Sequence, residues 1–225
     1  MPQTNTHTDT EPLTLWESRF KEFFNGKKIT DASHDLSHFQ RVWGFAQKII
    51  ATEGNSCDKL VVLAACYFHD IVSFEKNDPR RSQSSLLAAE ATVEILRDMK
   101  FPEDMLAKVH HAVHAHSFSA QVPPQTIEAK IVQDADRMEA LGPIGIARCF
   151  YVSGRMQRPL FHPQDPLAKN RDLDDQNYAL DHFSIKLLKL HETMTTEGGR
   201  TLAKARTEVV YQFMMDLADD VQPEA

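Results

Sequence analysis

Histidine is the unusual residue of this 225-residue chain, with 11 copies, and several of them stand beside carboxylates. Imidazole and carboxylate together hold borderline and hard divalent cations, and a catalytic site of that kind keeps positions open for water and substrate. His38 lies one helical turn after His34 and three residues after Asp35, so the three share a sector of one helix. His69 and Asp70 are adjacent where a wholly apolar run meets a polar loop. Asp136 stands in EAKIVQDADRMEALG, on a third helix. Each has an ordinary structural use when taken alone, as a hydrogen-bonded core histidine, a polar stop or a solvated charge pair. Spacing does not choose between His34 and His38, nor between Asp134 and Asp136.

A second histidine group, His110, His111, His114 and His116, lies between the doublet and Asp136. His110 and His114 share a helical face, and His111 falls about 100° away. The group suits a polar surface helix, or contact with a phosphate or a water at a metal site. An anionic substrate in a chain of formal charge -7 needs local donors, and forked guanidinium groups match phosphate oxygens well. The candidates are Arg80, Arg81, Lys130, Arg137 and Arg148, with Arg155, Arg158, Lys169 and Arg171 in the segment that follows. Phe74 and Phe118 could stack on a base or fill core.

The elements that must position these groups read as helices. Leu13, Trp16, Phe20, Phe23 and Phe24 make a stripe that stops near Gly26. Asp31 or Ser33 caps a second helix buried through Leu36, Phe39, Val42, Trp43, Ala46 and Ile49 and ended by Gly54. Ser56 or Asp58 opens KLVVLAACYF, and further helices are expected over 82–99, 102–116, 126–141, 144–152, 173–194 and 199–217. The segment 155–172 has three prolines and no apolar period, which suits either a lid or disorder. Eight glycines among 225 residues fit long helices with few tight turns. Residues 1–12 read as a disordered tail, and 13–220 as one all-α domain.

Composition narrows the function classes. The acidic balance, 25 Lys and Arg against 32 Asp and Glu, argues against a protein that grips a nucleic-acid duplex through a basic surface. Cys57, Cys66 and Cys149 are odd in number and form no Cys-x-x-Cys pair, so a disulfide framework and a thiolate zinc site are disfavoured. The longest apolar run, Leu60 to Phe68, is far short of the ~20 residues that cross a bilayer. The start of the chain has no basic and apolar leader, so a cytoplasmic location without membrane contact is expected. A homodimer is among the states the sequence allows.

Taken in order, DLSHFQRVW, CYFHDIV and QDADRMEALG resemble the HD-domain metal-dependent phosphohydrolases, which take their name from the His-Asp doublet. The resemblance continues through HAHSFSA, TIEAKIVQDADRMEALGPIGIAR, LDHFSIKLLKL and TTEGGRTLAKAR, spans about residues 30–217, and is closest in kind to small stand-alone bacterial HD hydrolases. It implies an all-α HD bundle with one divalent ion (Mn, Mg, Fe, Co or Ni) held by His38, His69, Asp70 and Asp136. His34 and Asp35 would support a ligand, Asp35 by accepting the second N–H of an imidazole. Asp70 would orient a water, His111 or His116 would shuttle its proton, and Lys130, Arg137, Arg81 and Arg148 would bind substrate phosphates. The implied activity is hydrolysis of a nucleotide phosphoanhydride, triphosphate to monophosphate plus pyrophosphate. Alternatives are a phosphomonoesterase acting on nucleoside monophosphates or another small phosphate ester, and a non-catalytic nucleotide sensor. A di-iron oxygenase needs more bridging ligands than the sequence offers.

Overall fold

A computed structural model describes residues 12–25, 35–54, 57–74 and 78–221. Among them lie nine α-helices and no strand: α1 Leu13–Asn25, α2 Leu36–Thr52, α3 Lys59–Phe68, α4 Ser84–Asp98, α5 Leu106–His116, α6 Ile127–Arg137, α7 Gly142–Arg155, α8 Asp181–Ile185 and α9 Glu197–Val221. Residues 1–11 of the expected tail and the candidates Asp31, Ser33, His34 and Ser56 fall outside the described residues. No helix among the described residues is long and apolar enough to cross a membrane.

The fold is organised around α3. Every residue from Leu60 to Phe68 is buried, which requires neighbours on all sides, and α1, α2, α4, α5 and α6 supply them. An apolar side chain fully removed from water contributes about 1.5–3 kcal/mol, so the burial of this short helix is a large part of what holds the bundle together. The Asp58 side chain starts it, accepting from the backbone N–H groups of Leu60 and Val61, as an N-cap should. The aromatic stripe of α1 is core: Phe20 packs edge-on to Phe68, and Phe24 lies between Phe39 and Phe68, tilted against both rings.

Helix α2 is capped by Asp35, whose carboxylate accepts from the backbone N–H of His38 at 3.0 Å and from the Ser37 hydroxyl at 2.7 Å. Helices α5 and α6 both end near the C-terminal end of α3, so they run in the same sense. The intervening 117–126 must travel back alongside α5, and Pro123 and Pro124 keep it from becoming helical. Thr126 then caps α6, which tightens into a 3-10 turn at Met138–Ala140. Gly142, the first residue of α7, turns the chain at φ +66°.

The helix expected over 173–194 is instead a short α8, a distorted residue at Lys186 (φ -126°, ψ -56°) and a 3-10 stretch Leu187–Thr193. Aspartate side chains take the amides that a helix would use. Asp174 accepts from Gln176 and Asn177 N–H, and buried Asp181 accepts from Asp174 N–H and both arms of Arg171. The segment before it is irregular yet tethered. Asp165 caps the amides of Lys169 and Asn170, and Ala179 and Leu180 N–H donate to Pro159 and Leu160 carbonyls.

Helix α9 begins at Glu197 and is fastened to α6 by Asp134. That buried carboxylate accepts from the backbone N–H and hydroxyl groups of both Thr195 and Thr196, at 2.7–3.1 Å. Gly199 is required beside it, because a Cβ there would sit 2.3 Å from Asp134 Oδ2.

Candidate metal centre

Four helix ends meet at one end of the bundle. His38 is in the first turn of α2, His69 caps the C-terminus of α3 with Asp70 next to it, His116 is the last residue of α5, and Asp136 is in the last turn of α6. Three of these are C-terminal ends, where the helix dipole places partial negative charge that favours a cation.

The side chains converge through their Nε2 atoms. His38 Nε2 is 3.2 Å from His69 Nε2, and His69 Nε2 is 3.5 Å from Asp136 Oδ1 and 3.6 Å from Asp70 Oδ2. His116 Nε2 adds itself at 3.4 Å from Asp70 Oδ1. Two overlapping groups result, His38, His69, Asp136 and His69, Asp70, His116. Donors each about 2.1 Å from one ion and 90–110° apart are separated by roughly 3.0–3.4 Å; the His38–His69 pair lies in that range, and the His69–Asp136, His69–Asp70 and His38–Asp136 pairs, at 3.5, 3.6 and 3.9 Å, would have to draw in slightly around one cation.

The other face of each ring supports that reading. His69 Nδ1 lies 3.0 Å from the Cys66 carbonyl, His116 Nδ1 2.6 Å from the Val113 carbonyl, and His38 Nδ1 3.1 Å from Glu139 Oε2. All three partners are acceptors, so each Nδ1 carries a proton and donates it, leaving Nε2 of each ring as the atom that faces the cluster. His38 and His69 are essentially fully buried. Burial pushes His38 toward its neutral form against the pull of Glu139. Burial also works against charge on His69, yet Asp70 and Asp136 outweigh it and raise that imidazole to about 9. Asp136 is held ionised despite burial by His69 and His116. A compact group with two carboxylates and this avidity for a proton has the chemistry to hold a cation in its place.

Glu139 escaped the sequence reading. It lies three residues after Asp136, one turn along the same side, and is nearly fully buried. Its carboxylate accepts from His38 Nδ1, from Arg41 Nε and Nη2 at 2.8–3.1 Å, and from Arg148 Nη1 at 3.2 Å. Burial would raise its carboxyl, but His38 and Arg41 hold it down to about 2. The support expected of Asp35 therefore comes from Glu139. Asp35 is spent on the α2 backbone because a side chain at the cap reaches the first-turn N–H groups, not the ring.

The remaining expected residues scatter. His111 stands five residues before His116, about 140° around α5, and its Nε2 accepts from the backbone N–H of Gln125 at 2.9 Å. It pins the returning 117–126 segment and belongs to neither donor group. Arg137 donates to the Thr193 carbonyl, and Arg81 to the Phe74 carbonyl. Lys130 is half-buried on α6. Arg148 reaches the cluster through Glu139. Its Nη1 is also 3.3 Å from His38 Nδ1, but that nitrogen is a donor, so the carboxylate is the bonded partner. Phe118 is exposed and Phe74 carries the Arg80 guanidinium on its face.

The HD domain family model matches residues 35–141, a span that holds every donor above. YpgQ of Bacillus subtilis is 31% identical over 199 residues, which cover 86% of this chain and 88% of YpgQ. The chain belongs to the HD domain family. Among solved HD-type structures, an HD-superfamily hydrolase from Bacillus thuringiensis superposes with a TM-score of 0.72 at 25% identity, covering 95% of this chain and all of the other. The crystal structure of YpgQ in complex with ADP superposes with a TM-score of 0.70 at 28% identity, over 92% of this chain and 98% of that one. The HD match ends at Leu141, so α7, α8 and α9 are built outside it, with α7 and α9 packed against its elements.

Proposed function

We propose that this HD protein is a metal-dependent phosphohydrolase acting on a nucleotide phosphoanhydride, with one divalent ion (Mn, Mg, Fe, Co or Ni) held by His38, His69, Asp70 and Asp136. The observation that carries it is the convergence of imidazole Nε2 atoms and two carboxylates at one point, with each Nδ1 proton already committed elsewhere. The ADP bound by YpgQ supports a nucleotide as the ligand class. An ion in this position supplies a Lewis acid for a phosphoryl oxygen and a more acidic water.

The chain's own residues have the following parts. Asp70 presents Oδ2 toward His69 and Oδ1 toward His116, so one carboxylate reaches both donor groups and can orient a water between them. His116 Nε2 is placed to hold or pass a proton at Asp70 Oδ1. Glu139 keeps His38 in the tautomer whose Nε2 faces inward, and Arg41 keeps Glu139 ionised while Arg148 donates to the same carboxylate. Lys130 and Arg81, which have no carboxylate partner among the described residues, keep their charge for a phosphate.

The test is metal-reloaded protein against a panel of nucleoside mono- and triphosphates, with pyrophosphate and phosphate quantified separately beside Asp70→Ala. Pyrophosphate from triphosphates, lost in the variant, is expected. Phosphate from monophosphates would make it a phosphomonoesterase. Nucleotide binding with no product from any member would make it a sensor.

A further inference from the structure

On the Nδ1 side of the His38 ring, away from the Nε2 cluster, α7 and the chain after it line an open cavity of about 130 Å³. Its polar lining is Arg148, Ser153, Arg158 and His182, the rest is apolar, and no Asp or Glu is among the lining residues. Glu139 and Asp175 partner Arg148 and His182 from outside the lining, but Arg158 has no carboxylate partner among the described residues, and in a chain of net charge -7 that leaves a local positive charge that favours an anion. Pockets for drug-sized molecules occupy roughly 300–1,000 Å³, so the volume matches a small ion more closely than a whole nucleoside.

We propose that this cavity binds a small inorganic oxyanion, phosphate or pyrophosphate, between Arg148 and Arg158. Arg158 is pre-positioned for it. Its backbone N–H donates to the Ser153 carbonyl at 2.9 Å, closing the C-terminus of α7 around Gln157, which adopts a left-handed φ of +54°. Its Nε is buried with no partner, and Nη2 meets only the Met156 sulfur at 3.6 Å. A guanidinium edge left this way matches two phosphate oxygens, the bidentate geometry in which arginine excels. Arg148 faces the cavity while touching Glu139, and His182 is oriented by Asp175 at 2.8 Å. The site uses no metal ligand and so stands apart from the proposed hydrolysis, although such ions are what that reaction would release. Because Arg148 is shared with Glu139, a bound anion and the support of His38 draw on one guanidinium.

The test is calorimetric titration of the full-length protein, stripped of metal with chelator, with pyrophosphate, orthophosphate and ADP in turn. Saturable binding of pyrophosphate or orthophosphate at one per chain is expected, weakened at least tenfold in Arg158→Ala and retained in Arg155→Ala, a control for general charge on the same turn. Arg158→Gln, which keeps the length of the side chain, serves if the alanine variant does not fold. No binding of either ion, or binding unchanged in the Arg158 variant, overturns the proposal. Arg158-dependent binding of ADP as tight as that of pyrophosphate would also overturn it, by making the occupant the tail of a nucleotide.

Discussion

Replacing Glu139 by Gln keeps the shape of the side chain and removes its charge. The amide can still offer one oxygen to His38 Nδ1, but its NH2 then faces Arg41 or Arg148, donor against donor. The carboxyl is held at about 2 in the fold, against an ordinary 4.5. At about 1.4 kcal/mol per pKa unit that gap corresponds to roughly 3 kcal/mol. The sign is that of a depressed acid: the contribution is whole above about pH 4.5 and is lost as pH falls toward 2. Loss of a hydrogen bond that orients a metal-bound imidazole costs about 10–100-fold in metal affinity, or roughly 1.4–2.7 kcal/mol. Two measurements separate these effects. Chemical or thermal denaturation in chelator should show Glu139→Gln less stable by about 2–4 kcal/mol at pH 7, with the difference shrinking in acid. Titration with Mn, at a temperature where both proteins are folded, should show the drop in affinity. A variant that is less stable but binds metal within twofold of the parent would refute the link from Glu139 through His38 to the ion, and leave Glu139 a brace between α2 and α7.

Metal binding should depend on pH through His69. Its imidazole is raised from 6.5 to about 9 in the absence of an ion, so in metal-free protein the pairing with Asp70 and Asp136 stabilises the fold below about pH 6.5 and is lost as pH rises through 9. An ion must displace that proton, so calorimetry at pH 7.5 in buffers of different ionisation enthalpy should report about one proton released per ion; a heat independent of buffer would count against it. Gly199→Ala should lower stability by about 2–4 kcal/mol, because the new Cβ would overlap Asp134 Oδ2 and Thr196 Oγ1, and parent-like melting would show that the clamp can yield. Asp181→Ala leaves Arg171 without its buried partner and should cost about 3–5 kcal/mol, read as a fall in melting temperature.

The centre was largely legible because its donors sit at helix ends that apolar stripes and breakers reveal. His69 is found where nine buried residues stop, and Asp136 just before the Gly142 break. Only the ordered motifs chose His38 over His34 and Asp136 over Asp134. The structure gives a physical account of the second choice: Asp134 turns to the Thr195 and Thr196 amides, contacts 61 and 62 residues away that no local pattern encodes. Glu139 left a faint trace, an acid one turn beyond Asp136 in the otherwise apolar MEALG. His111 and His116 looked equivalent until the path of the 117–126 crossover was known. The 173–194 helix failed for a different reason. Its apolar period was real over Leu187, Leu188 and Leu190, but Asp174 and Asp181 offered the backbone better acceptors than the next turn would.

The Asp134 clamp also bears on where this chain can be cut. The family match stops at Leu141, which invites treating 35–141 as a portable module. Yet a piece ending there would carry a buried carboxylate stripped of its four donors from Thr195 and Thr196, and an α3 whose Phe68 has lost the Phe20 and Phe24 rings of α1. Modularity in the family's pattern is thus not modularity in this polypeptide. A graft or split version that keeps the donors in register has to include both the opening aromatic helix and the closing α9, and the economical junctions lie in the exposed turns between helices instead of at the borders of the motif.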